Sequence, residues 1–193
     1  MPKLPVDLNS RDIDLLIPEF REKVLQVISA CAKRKVKLVP YSTLRGPLTQ
    51  AQFWCEGRSK QQILDVIEHF RQLSCPNIQK VLSLAGAQIK KKPTNSAIKT
   101  KSIPGESWHH YGEAVDMYVE VKGKPDWHNL PAYAIYTEEA ERLGLTSGAR
   151  FKGFIEPVHI QLSRLGKPAK SFYELDRLLG EKFSYDFIPT VSI

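Results

Sequence analysis

This sequence has few cysteines and lacks the cysteine pairs that form zinc ribbons or disulfide frameworks. Its three cysteines, Cys31, Cys55 and Cys75, are odd in number, and none of them belongs to a C-x-x-C motif. That pattern argues against a disulfide scaffold and against a zinc site made of thiolates. We therefore expect three buried free thiols.

Long apolar runs are also missing. No window approaches the roughly 20 apolar residues that a membrane-spanning helix needs, and the first residues contain no continuous apolar segment of the signal-peptide kind. We therefore expect a chain that is made in the cytoplasm and has no membrane partner.

Internal repeats and low-complexity linkers are absent too, and 193 residues, 42% of them hydrophobic, suit a single domain over 1–193. Within it we interpret 1–17 as a lead-in segment and 184–193 as a tail.

Negative charge is scarce relative to positive charge. Lys and Arg number 28 against 21 Asp and Glu, which gives a net charge of +7 and a pI near 9.3. Such a chain favours a polyanionic partner, and nucleic acid, acidic lipid and an anionic cell-wall polymer all qualify. Periodicity is lost over 90–106, which we interpret as a solvated basic loop or, alternatively, as an electrostatic rim for an anionic polymer. Its lysines are Lys90, Lys91, Lys92, Lys99 and Lys101.

The spacing of apolar residues predicts both helices and strands. Helical spacing predicts one helix behind Pro18, a short one with a capping box at Thr49, and others over 59–73, from 76 to a stop at Gly86, within 131–143 and over 172–183. A short apolar run predicts a strand at 36–40, and alternation of apolar and polar residues predicts strands at 115–121 and 158–162.

Candidate chemistry concentrates in the stretch 107–116 and in a second piece at 156–159. His109 and Asp116 stand on either side of a glycine, and His159 offers a third ligand. Asp116 and His159 have the same parity in their predicted strands, so their side chains share a face if the strands share a sheet. Three protein ligands leave one tetrahedral position open for water, which is typical of a catalytic zinc site. We therefore expect one catalytic Zn²⁺ ion; the structural alternative is a core histidine pair and a capping aspartate.

A site of this kind also needs a base and a positive group. Glu156 is the carboxylate nearest to a candidate ligand in sequence, so we expect it to take a proton from water and pass it to the leaving amine. Glu156 lies three residues before His159, an odd offset that would turn the two side chains to opposite faces of a regular strand. Pro157 marks a strand start or a bulge, however, where this alternation of faces breaks. Arg45 follows a predicted strand and is the candidate for stabilising the reacting carbonyl, with a surface ion pair as its alternative role.

Other residues near these motifs are expected to have structural roles. His110 adjoins a candidate ligand and should point away from it, because neighbouring residues in an extended chain face opposite ways. Trp54 and Trp108 are expected to pack against their neighbours, and His128 is expected to be exposed.

The pattern S-x-H-x-x-G-x-A-x-D over 107–116, followed by E-x-x-H over 156–159, resembles the zinc D,D-peptidase and L-alanyl-D-glutamate peptidase family. Residues 45–59 are similar to the arginine segment of that family, in which an arginine precedes a glutamine, an aromatic residue and a G-R-[ST] ending. The resemblance implies an α+β fold of the Hedgehog and D,D-peptidase type, a small, mainly antiparallel sheet flanked by helices. It also implies zinc bound by His109, Asp116 and His159, catalysis by Glu156 and Arg45, and a substrate cleft lined by Gln50 and Ser107.

For function, the resemblance implies a zinc metallopeptidase that hydrolyses bonds in the stem peptides of bacterial peptidoglycan. The Gly57-Arg58-Ser59 ending and the small size favour an L-alanyl-D-glutamate endopeptidase of the phage-lysin kind. The alternative within the family is a D-alanyl-D-alanine carboxypeptidase or dipeptidase. Two hypotheses of other classes are a basic polyanion-binding module with a structural zinc ion and a zinc-bearing relative without activity.

The expected partner is a peptidoglycan stem peptide, with an anionic cell-wall polymer as a second candidate. We expect no nucleic-acid partner and a monomeric chain. A phage lysin made in the cytoplasm would reach the wall through a pore formed by another protein. A recycling enzyme that remains in the cytoplasm and acts on wall fragments is the alternative.

Overall fold

The protein combines helices with an antiparallel sheet. The structure is a computed structural model that describes residues 2–88, 97–163 and 168–185. The described helices are α1 (Pro18–Lys33), α2 (Pro47–Cys55), α3 (Lys60–Gln72), α4 (Pro76–Gln88), α5 (Leu130–Arg142) and α6 (Phe172–Lys182). The described strands are β1 (Leu4–Pro5), β2 (Leu38–Ser42), β3 (Ala114–Val121), β4 (Lys124–Asp126), β5 (Leu145–Ser147), β6 (His159–Leu162) and β7 (Phe183–Ser184). The predicted α+β class with an antiparallel sheet is confirmed.

Two helix ends differ from the sequence prediction for local reasons. The prediction that α4 stops at Gly86 is wrong, because the helix continues to Gln88 and packs Gly86 closely against Ile63 of α3. The capping box predicted at Thr49 is also wrong, because α2 begins at Pro47 behind Gly46. Thr49 therefore lies inside the helix, where its hydroxyl donates to the carbonyl oxygen of Asp7 at 3.0 Å.

The sheet belongs to one compact unit, which comprises residues 10–44 and 111–163. Its strands follow the order β2, β3, β6, β5, and β4 pairs with the second half of β3; every neighbouring pair is antiparallel. Val115, Met117 and Val119 of β3 are buried with apolar residues of α1 and α5. The alternate residues of β3 therefore occupy the opposite face, as the alternation predicted.

Residues 2–9, 45–88, 97–110 and 168–185 form another compact unit, which is mainly helical. Its central helix is α4, which contacts α2, α3 and α6 and buries Ile78 and Leu82 completely. The capping box predicted for α3 is present, because Ser59 and Gln62 each accept a hydrogen bond from the backbone N–H of the other. The single domain expected over 1–193 stays a prediction.

Some expectations fall on other parts of the chain. Lys90, Lys91 and Lys92 of the basic segment and residues 186–193 of the tail lie outside the described residues. Among the helices that the structure describes, none is both long enough and apolar enough to cross a bilayer.

The three cysteines are buried free thiols, as predicted. Burial raises the pKa of the Cys31 thiol to about 11 and that of the Cys55 thiol to about 12. Both groups are therefore protonated at neutral pH, and a protonated, buried thiol is a poor nucleophile and a poor metal ligand.

Asp176 of α6 closes the amino end of α4. Its carboxylate accepts a hydrogen bond from the backbone N–H of Ile78 at 2.7 Å and another from the side-chain amide of Asn77 at 2.9 Å. The first N–H groups of a helix have no partners within the helix, so an acceptor must come from elsewhere. Here a second helix supplies the acceptor that an N-cap residue usually provides.

Replacing this acceptor should weaken the fold. Asp176→Ala is expected to lower the free energy of unfolding by about 1–3 kcal/mol, because the buried N–H of Ile78 loses its partner. Urea unfolding followed by circular dichroism measures the change. The matched control is Glu181→Ala, which removes an exposed carboxylate of the same helix and should cost no more than about 1 kcal/mol. Equal losses in the two variants would contradict the capping role.

Candidate metal centre

The structure gathers the three candidate ligands into one group. One ligand atom from each of His109, Asp116 and His159 lies within 4.8 Å of the other two, and all three residues are buried. Ligand atoms of a tetrahedral zinc site are about 3.5 Å apart, given metal–ligand distances of about 2.0–2.2 Å. Small side-chain movements would therefore bring this donor set to a zinc ion. Two imidazoles and one carboxylate also suit the chemistry of Zn²⁺.

Two of these ligands are positioned by the pairing of β3 with β6. The antiparallel register sets Asp116 directly opposite His159, and Nδ1 of the imidazole lies 2.9 Å from Oδ1 of the carboxylate. Directly opposed residues of an antiparallel pair lie on the same face of the sheet. The common face predicted from the parity of the two strands is therefore confirmed.

The imidazole of His159 is contacted at both ring nitrogens. Its Nε2 lies 3.0 Å from Oε1 of Gln161. A carbonyl oxygen only accepts, so Nε2 carries a proton, and Nδ1 is the nitrogen available to a metal ion once it has lost the proton that it donates to Asp116. Burial is the largest influence on the pKa of His159 and lowers it. The hydrogen bond and charge of Asp116, with smaller effects of Glu156 and Gln161, outweigh burial and raise that pKa above its ordinary value.

His109 lies in a short 3₁₀ turn, Trp108–Tyr111, whose backbone is tied to Arg45. The backbone N–H of Arg45 donates to the carbonyl oxygen of His109 at 3.2 Å. Nδ1 of His110 lies 2.7 Å from the carbonyl oxygen of Arg45 and donates to it. Burial lowers the pKa of His110 to about 3, so this ring is neutral and has the structural role expected from the sequence.

Gly112 allows the chain to turn between His109 and Asp116. Its φ is +73°, a left-handed conformation that residues with a side chain rarely adopt. A Cβ atom there would also lie 2.9 Å from the carbonyl oxygen of Leu15, while the Gly112 carbonyl accepts from the N–H of Ile17 at 3.0 Å. This position of the motif therefore requires glycine, both for its backbone conformation and for the close approach of the Leu15 carbonyl oxygen.

Arg45 is only 8% exposed, and its guanidinium is held by neighbouring side chains. It donates to Oε1 of Gln50 at 2.9 Å, and its central carbon lies 5.0 Å from the ring centre of Phe53. Gln50 also donates to the carbonyl oxygen of Ser102 at 2.8 Å. Its amide therefore positions both the arginine and the loop that precedes the His109 turn. Ser107 is buried where the His109 turn begins. The expected contacts of Gln50 and Ser107 with substrate stay predictions.

Glu156 precedes β6 rather than lying within it. Strand alternation therefore does not apply to it, and the odd offset from His159 presents no conflict. Its N–H donates to the carbonyl oxygen of Gly148 at 3.0 Å, and its carbonyl accepts from the N–H of His159 at 3.1 Å. A Cβ atom at Gly148 would lie 2.3 Å from that carbonyl oxygen, so only glycine permits this approach. The sequence reasoning missed this requirement.

It also missed Gln161 and a group of aromatic rings on the sheet. Gln161 lies two positions after His159, so the period of a strand could have identified it. The centre of the Trp127 ring system lies 5.0 Å from that of Tyr41 and 5.3 Å from that of Tyr118. Tyr118 follows Asp116 by two residues in β3 and occupies the same face. His128, by contrast, is exposed as expected.

Comparison with known sequences identifies the family. A sequence profile of the VanY family, described as D-alanyl-D-alanine carboxypeptidase, matches residues 14–152, well over half of the chain. This chain belongs to the VanY family. It is therefore a zinc peptidase that acts on peptidoglycan, and not a polyanion-binding module without catalytic activity. The VanY profile includes the positions of Arg45, His109 and Asp116 and ends before Glu156 and His159.

Solved structures similar to this VanY-family chain include three peptidases. The L-Ala D-Glu endopeptidase ChiX of Serratia marcescens is 16% identical, with 82% of this chain and 90% of that one covered and a TM-score of 0.42. A mutant of the vancomycin-resistance D,D-pentapeptidase VanY in complex with Zn(II) is 12% identical, with coverages of 87% and 80% and a TM-score of 0.41. VanYB in complex with D-alanine-D-alanine is 11% identical, with coverages of 95% and 88% and a TM-score of 0.41. No curated protein sequence matches the chain.

Removing the partner of the His159 Nε2 atom should weaken metal binding. Gln161→Leu is expected to lower zinc affinity about 10- to 100-fold, because the imidazole loses the group that sets its tautomer and orientation. Competition with a chromophoric chelator measures the zinc dissociation constant. The control is Ser163→Ala, which removes a hydroxyl bonded to Thr146 at an exposed position and should leave affinity unchanged. Wild-type zinc affinity in a folded Gln161→Leu protein would show that Gln161 does not support His159 as a zinc ligand.

Proposed function

We propose that this chain hydrolyses the L-alanyl-D-glutamate bond of peptidoglycan stem peptides with the help of a zinc ion. The observation that carries the proposal is the buried His109, Asp116 and His159 group in a chain of a peptidase family. The choice of bond is supported by the small size of the chain and by the Gly57-Arg58-Ser59 ending of the 45–59 segment, which favour the endopeptidase branch.

The Arg58 and Ser59 side chains of the Gly57-Arg58-Ser59 ending make contacts within the protein. Arg58 lies over the ring of Trp54 at 4.1 Å and donates to the carbonyl oxygen of Thr100 at 3.1 Å. Ser59 caps α3. These contacts keep α2 and the loop before the His109 turn together, and Gln50 of α2 holds the Arg45 guanidinium. The segment therefore supports the proposed catalytic arginine.

His109, Asp116 and His159 would hold the zinc ion, which supplies a Lewis acid for the scissile carbonyl and for the attacking water. Glu156 takes the proton from that water and delivers it to the departing amine of D-glutamate. Arg45 stabilises the negative charge that develops on the carbonyl oxygen. Because Gln50 and Phe53 fix the guanidinium before substrate arrives, little reorganisation is needed during the reaction.

The second candidate is hydrolysis of the terminal D-alanyl-D-alanine bond. It is favoured by the description of the matching family profile, which is that of a D-alanyl-D-alanine carboxypeptidase. The same ligands, base and arginine would serve that reaction. The two activities differ in the bond that enters the centre, so the products distinguish them.

Digestion of purified peptidoglycan tests the choice of bond. The zinc-loaded protein is expected to create new amino-terminal glutamate residues and to release no free D-alanine, as measured by mass spectrometry of the soluble fragments. Chelation should stop the reaction and added zinc should restore it, because the zinc ion is the Lewis acid on which the proposed reaction depends. Release of free D-alanine would establish the second candidate instead. A zinc-loaded protein that creates no new termini would contradict both.

The role of Glu156 can be separated from metal binding. Glu156→Gln is expected to lower kcat about 10²- to 10⁴-fold with the zinc content unchanged, because the amide cannot accept the proton. His159→Ala should instead lower the zinc content itself. Glu138→Gln, at an exposed carboxylate bonded to Arg34, is the control and should retain wild-type kcat. Normal turnover in Glu156→Gln would assign the base to another residue.

A further inference from the structure

We propose that Tyr41, Tyr118 and Trp127 bind the sugar rings of the peptidoglycan glycan strand beside the metal centre. This inference deepens the proposed function and rests on it. We call the three residues the aromatic platform. It would hold the saccharide part of the substrate while the attached peptide reaches the metal ligands.

The aromatic platform is a continuous group of rings with solvent-exposed surface. Trp127 stands between the two tyrosines, at an interplanar angle of 79° to Tyr41 and 53° to Tyr118. Trp127 is 41% exposed and Tyr41 is 37% exposed, whereas Tyr118 is half-buried. Contacts within the protein therefore cover only part of these rings, and contiguous exposed apolar surface commonly marks a binding site.

Its position follows from the sheet. Tyr118 and Asp116 are alternate residues of β3, so they lie on one face with Cα atoms about 6.8 Å apart. Trp127 directly follows β4, which pairs with the far half of β3, and Tyr41 lies where β2 departs from regular register between Pro40 and Ser42. The aromatic platform therefore lies across the far half of β3, with β2 on one edge of that strand and β4 on the other, and continues the face that bears Asp116.

The chemistry of the aromatic platform suits an uncharged saccharide. Aromatic faces pack against the C–H faces of sugar rings, and polar groups at their edges bond to hydroxyl and acetamido groups. The guanidinium of Arg11 lies over the Tyr41 ring at 5.3 Å and offers such donors. The nearby charges of Lys37 and Glu120 neutralise one another in an ion pair. Rings that can stack on a sugar, beside a guanidinium that can donate to its polar groups, therefore suit a saccharide.

The distance between the aromatic platform and Asp116 favours cleavage of the L-alanyl-D-glutamate bond, the stem-peptide bond nearest to the sugar. The stem peptide is joined to the glycan through its L-alanine, so one residue and the lactyl group separate the L-alanyl-D-glutamate bond from the sugar ring. An extended chain spans about 3.5 Å per residue, which places that bond about 7 Å from the sugar. This matches the spacing of Tyr118 and Asp116. The D-alanyl-D-alanine bond lies three residues further along, about 10 Å more.

Binding of a peptide-free sugar tests the aromatic platform without any catalysis. The probe is the β-1,4-linked hexamer of N-acetylglucosamine, titrated calorimetrically into the zinc-loaded protein, which has no peptide bond to cleave in this sugar. The wild-type protein should bind it, Trp127→Ala should weaken binding about tenfold, and Trp127→Phe should retain most of the affinity because a ring remains. Tyr41→Ala is a second disrupting variant for use if Trp127→Ala does not fold. The control is Tyr173→Ala, which removes an exposed ring from α6 and should bind as the wild type does.

Kinetics on two substrates provide a second test. Trp127→Ala is expected to raise KM about tenfold for a stem peptide attached to its disaccharide and to leave KM unchanged for the same peptide without sugar. The kcat on both substrates should stay at the wild-type value, because Trp127 does not contact the reacting atoms.

The outcomes separate the two proposals. A wild-type protein that cleaves stem peptides but does not bind the hexamer, or a Trp127→Ala protein that binds it equally well, would overturn the aromatic platform and leave the peptidase intact. Sugar binding that depends on Trp127 in a protein that cleaves no stem peptide would refute the proposed function alone. Stronger binding to a single-stranded oligonucleotide, with a steep loss in salt, would assign the rings to a polyanion and also overturn the proposal.

Discussion

The antiparallel pairing of β3 with β6 is the constraint on which the proposed metal centre depends. It sets Asp116 opposite His159, and it does so because Val115, Met117 and Ile160 are buried on the opposite face. A slip of one residue would turn the carboxylate into the apolar core and a valine or methionine towards the imidazole. Hydrophobic burial therefore fixes the register, and the register fixes the ligand pair. No further interaction is needed to bring the Asp116 carboxylate and the His159 imidazole to the same face of the sheet.

The groups around the ligands are already hydrogen-bonded within the protein. Gln161 contacts His159, Gln50 contacts Arg45, and the His109 turn is tied to the backbone of Arg45. The first two contacts restrict side chains that would otherwise sample several rotamers, and the third fixes the backbone of the turn. Interactions that stabilise developing charge are most effective when their dipoles are oriented beforehand, because no energy is then spent on reorienting them during the reaction.

Sequence periodicity predicted the parts of the fold that depend on local pattern. The helix behind Pro18 and the common face of Asp116 and His159 follow from spacings of 3.6 and 2, which burial enforces, and the capping box at Ser59 follows from a local hydrogen-bonding motif of residues three apart. The rest depends on distant partners. Strands of two or three residues, such as β4 and β5, are too short to show alternation. Gly148 owes its identity to the close approach of Glu156, and the amino end of α4 relies on Asp176; neither relation leaves a local pattern.

Burial changes along β3 in a way that suits a substrate with two different ends. Asp116 is buried near β6, whereas Tyr118 and Glu120, which follow it on the same face towards the end where β4 pairs, are half-buried. One strand therefore runs from an enclosed ligand to a ring in contact with solvent. A compact peptide bond can enter the enclosed end, whereas a bulky polar sugar requires the open end. If the terminal D-alanyl-D-alanine bond were the substrate, the sugar would lie well beyond Tyr118, and the exposed rings would have no group of the substrate to contact.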